Sequence, residues 1–212
     1  MLGFYDYTVI LTYLGVVSSI IGMSFAVEQH YLYAVICLLV SGLCDMFDGM
    51  VARTKKNRTE LEKKNGIQLD SLADVICFGA FPAVIGYTLV MEMQYCFVFS
   101  VVFGVYVLCA IIRLAYFNVT EEVRQQETQG KRKSYEGLPV TSVALLIPAL
   151  FCTRGLLGDK FPYVYAIALL VIAVCFITNF KVKKFGLVGN LVLLGIGACI
   201  FAVLLVLKLN GI

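Results

Sequence analysis

Apolar residues run along this chain in blocks of about 20, separated by shorter polar stretches. A helix rises 1.5 Å per residue, so a block of that length matches a hydrocarbon layer about 30 Å thick. The pattern predicts helical spans over 8–26, 31–52, 69–91, 95–118, 138–157, 161–179 and 186–208. That makes seven, and six to eight are compatible with the pattern. The longest polar stretches, 53–67 and 119–137, have no room for an independent core. The expected architecture is therefore all-α: a polytopic membrane bundle forming a single membrane domain over 1–212. Short outer turns make neighbouring helices antiparallel. The stretch "TEEVRQQETQGKRKSYEG" (120–137) reads as a short helical or partly disordered link. No internal repeat is visible, so the pattern gives no support to an inverted-repeat transporter.

Composition agrees with that picture, at 60% hydrophobic and 15% charged residues. Soluble domains are nearer half apolar and a quarter charged. The first span lacks a basic n-region, and only Asp6 is charged before it, so it does not read as a signal peptide. Lys and Arg add an orientation. Arg53, Lys55, Lys56, Arg58, Lys63 and Lys64 follow span 2; Arg124, Lys131, Arg132 and Lys133 follow span 4; Lys181, Lys183 and Lys184 follow span 6. Arg154, Lys160 and Lys208 fall on the other side. By the positive-inside rule the first set faces the cytoplasm. The net charge of +3 then suits an anionic leaflet and calls for no nucleic acid. The eight cysteines form no CxxC pair and read as small apolar fillers.

Against that apolar background four carboxylates stand out. Asp45, Asp48, Asp70 and Asp74 occupy the inner ends of spans 2 and 3. A carboxylate at membrane depth must pair, bind a cation or line a wet cavity. Asp45, Asp48, Gly49 and Ala52 stand at i, i+3, i+4 and i+7, on one helical face. Gly66, Asp70 and Asp74 stand at i, i+4 and i+8. Span 2 descends and span 3 rises, so the two stripes can meet at similar depth. Four converging carboxylates repel unless cations neutralise them, and an all-oxygen set suits Mg²⁺ or Mn²⁺. Two ions bridged by shared carboxylates fit four negative charges. Gly49 and Ala52 leave open space beside the stripe, and Arg53 can hold phosphate oxygens. Together these features point to a phosphate-bearing substrate with a lipid tail.

"DMFDGMVAR…GIQLDSLAD" resembles the signature of the CDP-alcohol phosphotransferases, D-x-x-D-G-x-x-A-R…G-x-x-x-D-x-x-x-D. Every fixed residue is present, although the 12 residues between Arg53 and Gly66 exceed the commonest spacing. The resemblance implies an integral-membrane enzyme, commonly a homodimer, in the cell membrane with its site facing the cytoplasm. It implies that Asp45, Asp48 and Asp70 hold metal, and that Asp74 holds metal or removes the acceptor's proton. Asp48, Gly49, Ala52, Arg53 and Gly66 would accommodate the CDP-lipid.

The acceptor is read from softer signals. "LDSLADVICFGAFPA" (69–83), "RLAYFNV" (113–119) and "YEGLPV" (135–140) are similar to stretches of integral-membrane phosphatidylserine synthases, with Tyr116 in place of an arginine. The expected reaction joins CDP-diacylglycerol and L-serine and releases CMP. Choline, inositol and glycerol 3-phosphate remain as alternative acceptors, and a cation-coupled transporter is the reading from another class. Arg113, a basic residue well inside a span, needs an anionic partner: a protein aspartate, a substrate phosphate or the serine carboxylate. Asn118 can bond substrate or cap the helix end.

Overall fold

The computed structural model describes residues 3, 5–127, 134–183 and 187–209. Of the basic residues used above for orientation, Lys131, Arg132, Lys133 and Lys184 lie outside the described residues. The helices are α1 (Ile10–Val27), α2 (Tyr31–Ala52), α3 (Glu60–Asp74), α4 (Phe81–Val90), α5 (Cys96–Glu127), α6 (Val143–Phe151), α7 (Arg154–Leu157), α8 (Phe161–Ile177) and α9 (Leu187–Leu209). Single 3₁₀ turns enter α1, α6 and α8. A short antiparallel pair, β1 (Ser134–Glu136) and β2 (Lys181–Lys183), joins two loops with Tyr135 opposite Val182.

Among the described residues six helical stretches are long and apolar enough to cross a membrane. They are Tyr7–Val27, Tyr31–Ala52, Glu60–Val90, Cys96–Val123, Arg154–Ile177 and Leu191–Leu209. The predicted span 138–157 differs: its helix covers only Val140–Phe151, about 18 Å at 1.5 Å per residue. The chain turns at Cys152–Thr153, and Gly158, at φ +50, separates α7 from the turn entering α8. The third span begins nine residues earlier than its apolar block. Thr59 caps α3 and forms a reciprocal capping box with Glu62, which starts the helix inside the charged stretch.

Helices α1 and α2 pack against each other along their length, and α5 packs on α8. The buried core joins Leu38, Phe78, Phe81, Ile85, Tyr106, Phe161 and Tyr165. Close approach between helices comes from small residues. A Cβ on Gly42 would stand 2.4 Å from that of Ala144, so α2 meets α6 nearly backbone to backbone.

The stretch Val75–Ala80 between α3 and α4 is a π-helical turn. Its backbone closes with Phe81 N–H bonded to the Ile76 carbonyl, five residues back. Pro82 has no N–H and so cannot serve the carbonyl of Phe78, four residues before it. Tyr106 does so instead: its hydroxyl donates to Phe78 O at 2.5 Å. One turn on, the Tyr165 hydroxyl donates to Pro82 O at 2.9 Å. An unpaired carbonyl in an apolar interior is destabilising, and at Phe78 the buried Tyr106 removes that penalty. Tyr106→Phe is expected to lower stability by about 1–3 kcal/mol, read as a lower melting temperature in detergent. An unchanged melting temperature would show that the Phe78 carbonyl finds another donor.

Candidate active site

Two helix ends and the loop between them build the site. Helix α2 stops at Ala52 because its last carbonyls are claimed locally: Arg53 N–H reaches Met50 O at 3.2 Å and Thr54 N–H reaches Val51 O at 3.0 Å. The Thr54 hydroxyl also donates to Val51 O, at 2.7 Å. The residues 54–59 then cross to α3. Lys55 anchors this crossing from both sides, at 2.7 Å from Asp6 and 2.8 Å from Glu62. The Tyr7 hydroxyl meets that of Thr54 at 3.1 Å. The chain start thus straps the loop. The Lys55 ammonium and the Thr8 hydroxyl beside Asp6 hold its carboxyl down, from the ordinary 3.8 to about 2. A depressed carboxyl contributes fully above its ordinary value and is lost as pH falls through about 2, so the strap is intact from mildly acidic pH upward.

The two acidic stripes meet across the α2–α3 groove. Asp45, Asp70 and Asp74 bring carboxylate oxygens within 4.8 Å of one another. Asp45 is in contact with Asp74, and Asp48 with Asp70. The Thr12 hydroxyl of α1 donates to Asp48 Oδ2 at 3.1 Å. Asp74 is only 8% exposed. Like charges at this spacing repel strongly unless a cation sits among them. The donors are all hard oxygens, the set that suits Mg²⁺ or Mn²⁺ and not a soft metal. Lys64, at the outer edge of α3, pairs with Glu122 of α5 at 3.2 Å.

A cleft of about 150 Å³ opens beside the aspartates, and Asp48, Gly49, Ala52, Gly66 and Asp70 all line it. Arg53 lies against Gly49, where an added Cβ would stand 3.5 Å from its guanidinium. It is outside the cleft lining. Asn118 of α5 accepts from the hydroxyl of Ser71, the residue after Asp70, at 2.9 Å. Arg113 is 7% exposed, with its guanidinium carbon 5.6 Å from the Phe117 ring centroid. It sits beside Gly137, on the α8 side of α5, and does not line the cleft. Gly137 has φ +72, and a Cβ there would stand 3.0 Å from Phe176 O and 3.1 Å from Thr178 O. Only glycine fits both that backbone and that approach.

Thr12, Arg58 and Lys63 also line the cleft, and sequence reasoning did not single them out. For Thr12 a signal existed: Thr12, Gly15, Ser19, Gly22 and Ala26 form one buried stripe of small or polar residues along α1. Arg58 and Lys63 stood in a run of basic residues with no mark to separate them.

The chain is similar in sequence to several known proteins. The CDP-diacylglycerol–serine O-phosphatidyltransferase of Saccharomyces cerevisiae is 36% identical over 140 residues, 64% of this chain and 48% of that protein. The archaetidylserine synthase of Methanothermobacter thermautotrophicus is 32% identical over 145 residues, 68% of this chain and 57% of its own. A CDP-diacylglycerol–serine O-phosphatidyltransferase of Helicobacter pylori is 33% identical over 143 residues, 66% and 54% respectively. The chain thus spans about half the length of the curated relatives it matches. The family model for CDP-alcohol phosphatidyltransferases matches residues 8–180, a stretch that contains both acidic stripes and the cleft. This chain belongs to the CDP-alcohol phosphatidyltransferase family.

Proposed function

We propose that this chain, as one membrane domain, transfers the phosphatidyl group of CDP-diacylglycerol to L-serine, giving phosphatidylserine and CMP. The observation that carries the reading is the convergence of Asp45, Asp70 and Asp74, with Asp48 beside them, at one end of the bundle. The relatives named as serine phosphatidyltransferases supply the acceptor.

Asp45, Asp48, Asp70 and Asp74 would hold a divalent cation, Mg²⁺ or Mn²⁺, and two ions match four carboxylates. Bound there, the metal would neutralise charge on the diphosphate oxygens. Gly49 and Ala52 leave the cleft wall flat enough for the nucleotide, Gly66 holds the same wall under Arg58, and Arg53 stands beside Gly49 for phosphate. The serine hydroxyl oxygen attacks the phosphorus that carries the lipid. Asp74, the most buried of the four, receives the hydroxyl proton or completes the metal set. The bond between that phosphorus and the bridging oxygen breaks, and CMP leaves with the electron pair. We assign the acceptor side to Asn118, through its bond to Ser71 next to Asp70, and to Arg113, a buried cation of the same helix that supports this side from outside the cleft lining.

The acyl chains stay in lipid while the headgroup reacts at the membrane boundary. The basic residues flanking the site favour a cytoplasmic opening by the positive-inside rule, and we place the enzyme in the cell membrane as a homodimer.

CMP release by purified protein with CDP-diacylglycerol and Mg²⁺ or Mn²⁺ tests the reading, with L-serine, choline, inositol and glycerol 3-phosphate compared as acceptors. Release only with serine, abolished by chelation of divalent ions, is the expected result. Release with another alcohol would replace the acceptor and keep the chemistry. No release with any of the four would return the acidic cluster to a transport role, measured as metal flux in vesicles.

A further inference from the structure

We infer that Arg58, carried on the loop between α2 and α3, grips the phosphate that stays with cytidine when the CDP-lipid is cleaved. The inference rests on the CDP-lipid reading above and adds to it a residue outside the family signature.

Arg58 lines the same cleft as Asp48, Gly49, Gly66 and Asp70. Its guanidinium lies on Gly66: a Cβ there would stand 2.7 Å from Nη2. The missing side chain of Gly66 thus makes room for this cation. Lys55, Lys63 and Lys64 of the same basic stretch are each paired with a carboxylate. Among the described residues no ion pair within 4.0 Å holds Arg58. Its Nη2 donates to the Glu62 carbonyl at 3.2 Å, which fixes the side chain over the cleft. Its Nε is buried with no hydrogen-bond partner among the described residues. A buried donor on a planar cation, left unused at the wall of an acidic cleft, matches an oxygen-rich anion brought there with metal.

Depth along α3 decides which phosphate. Gly66 precedes Asp74 by eight residues, roughly 12 Å at 1.5 Å per residue. Arg58 is therefore at the shallow, nucleotide side, and Asp74, the proposed base or metal donor, is at the deep side. As the bridging P–O bond breaks, its electron pair goes to the CMP phosphate. Donors from Arg58 stabilise that growing charge. The long spacing between Arg53 and Gly66 gives the loop the reach to fold Arg58 back over α3.

Titration calorimetry of CMP and CDP against the full chain in detergent with Mg²⁺ tests this without requiring turnover. Arg58→Ala is expected to weaken both nucleotides by about 10- to 100-fold. Its KM for serine and its melting temperature should stay at the wild-type values. Arg58→Lys should recover part of the affinity, and Lys56→Ala, an exposed cation of the same loop, should recover wild-type binding in full. If Arg58→Ala binds CMP as the wild type does, the inference fails and the enzyme reading stands. A lowered melting temperature with equal losses for nucleotide and serine would make Arg58 a loop brace and overturn the inference. If the wild-type chain binds neither nucleotide, both the inference and the CDP-lipid reading fall.

Discussion

Asp74→Asn is expected to reduce CMP release by about 10³-fold or more while raising the melting temperature of the metal-free protein. The two effects have one cause. Asp74 is 8% exposed and shares its 4.8 Å cluster with Asp45 and Asp70. Removing one negative charge relieves repulsion that the fold otherwise sustains for function. On the proposed function the same change would delete a metal donor or the base for the acceptor hydroxyl, and general-base groups alone are worth about 10²–10⁴-fold. Assay of CMP release together with thermal unfolding in detergent, with and without Mg²⁺, separates the contributions. The wild type should gain more stability from the ion than the variant does. Retained activity in Asp74→Asn would remove Asp74 from the chemistry.

Gly22→Ala is expected to destabilise the fold and lower activity together. A Cβ at Gly22 would stand 2.2 Å from the Phe81 ring and 2.7 Å from the Cys37 Cβ. Phe81 is fully buried at the start of α4, so its ring has no space to retreat into. Separating α1 from α2 and α4 would also stretch the Ser19–Ser41 hydrogen bond, 2.9 Å long and buried. Overpacking of this kind costs about 1–3 kcal/mol. Thr12, which donates to Asp48, rides on the same helix. Activity should therefore fall along with the melting temperature. Gly104→Ala is the matched comparison, because nothing lies within 4 Å of a Cβ there. Equal melting temperatures for the two variants would contradict the packing account.

The pairing of the acidic stripes was legible in the sequence because helical spacing and hydropathy share one dimension, the chain itself. Asp45 and Asp48 fell on one face at i and i+3, Asp70 and Asp74 on another at i and i+4, and the antiparallel order did the rest. Span 2 agrees with its helix at both ends, since His30 and Arg53 bound a run whose charged residues are Asp45 and Asp48 alone. The third span was read too short because its first turns are charged and draw their start from a capping box, which leaves no mark in an apolar count. The fifth span was read too long because a hydropathy block does not register a change of direction at Thr153 or the positive φ of Gly158. Arg58 was not separable from Lys55, Lys56 and Lys63, because its place over Gly66 depends on how the loop folds back. The β1–β2 pair was invisible for a similar reason: two three-residue strands, far apart in sequence, declare themselves only when the loops meet.

The π-helical turn at Val75–Ala80 also sets a phase. Such a turn holds one residue more than an α-turn, and one residue is about 100° of rotation. The carboxylate face of α3 and the core-packing face of α4 are therefore keyed to different angular origins on what is otherwise one rod. Deleting a single residue within 75–80 would merge the two origins and swing Asp70 and Asp74 away from α2, with no acidic residue altered. The extra residue lets the reactive half of the helix and the packing half each be aimed independently of the other.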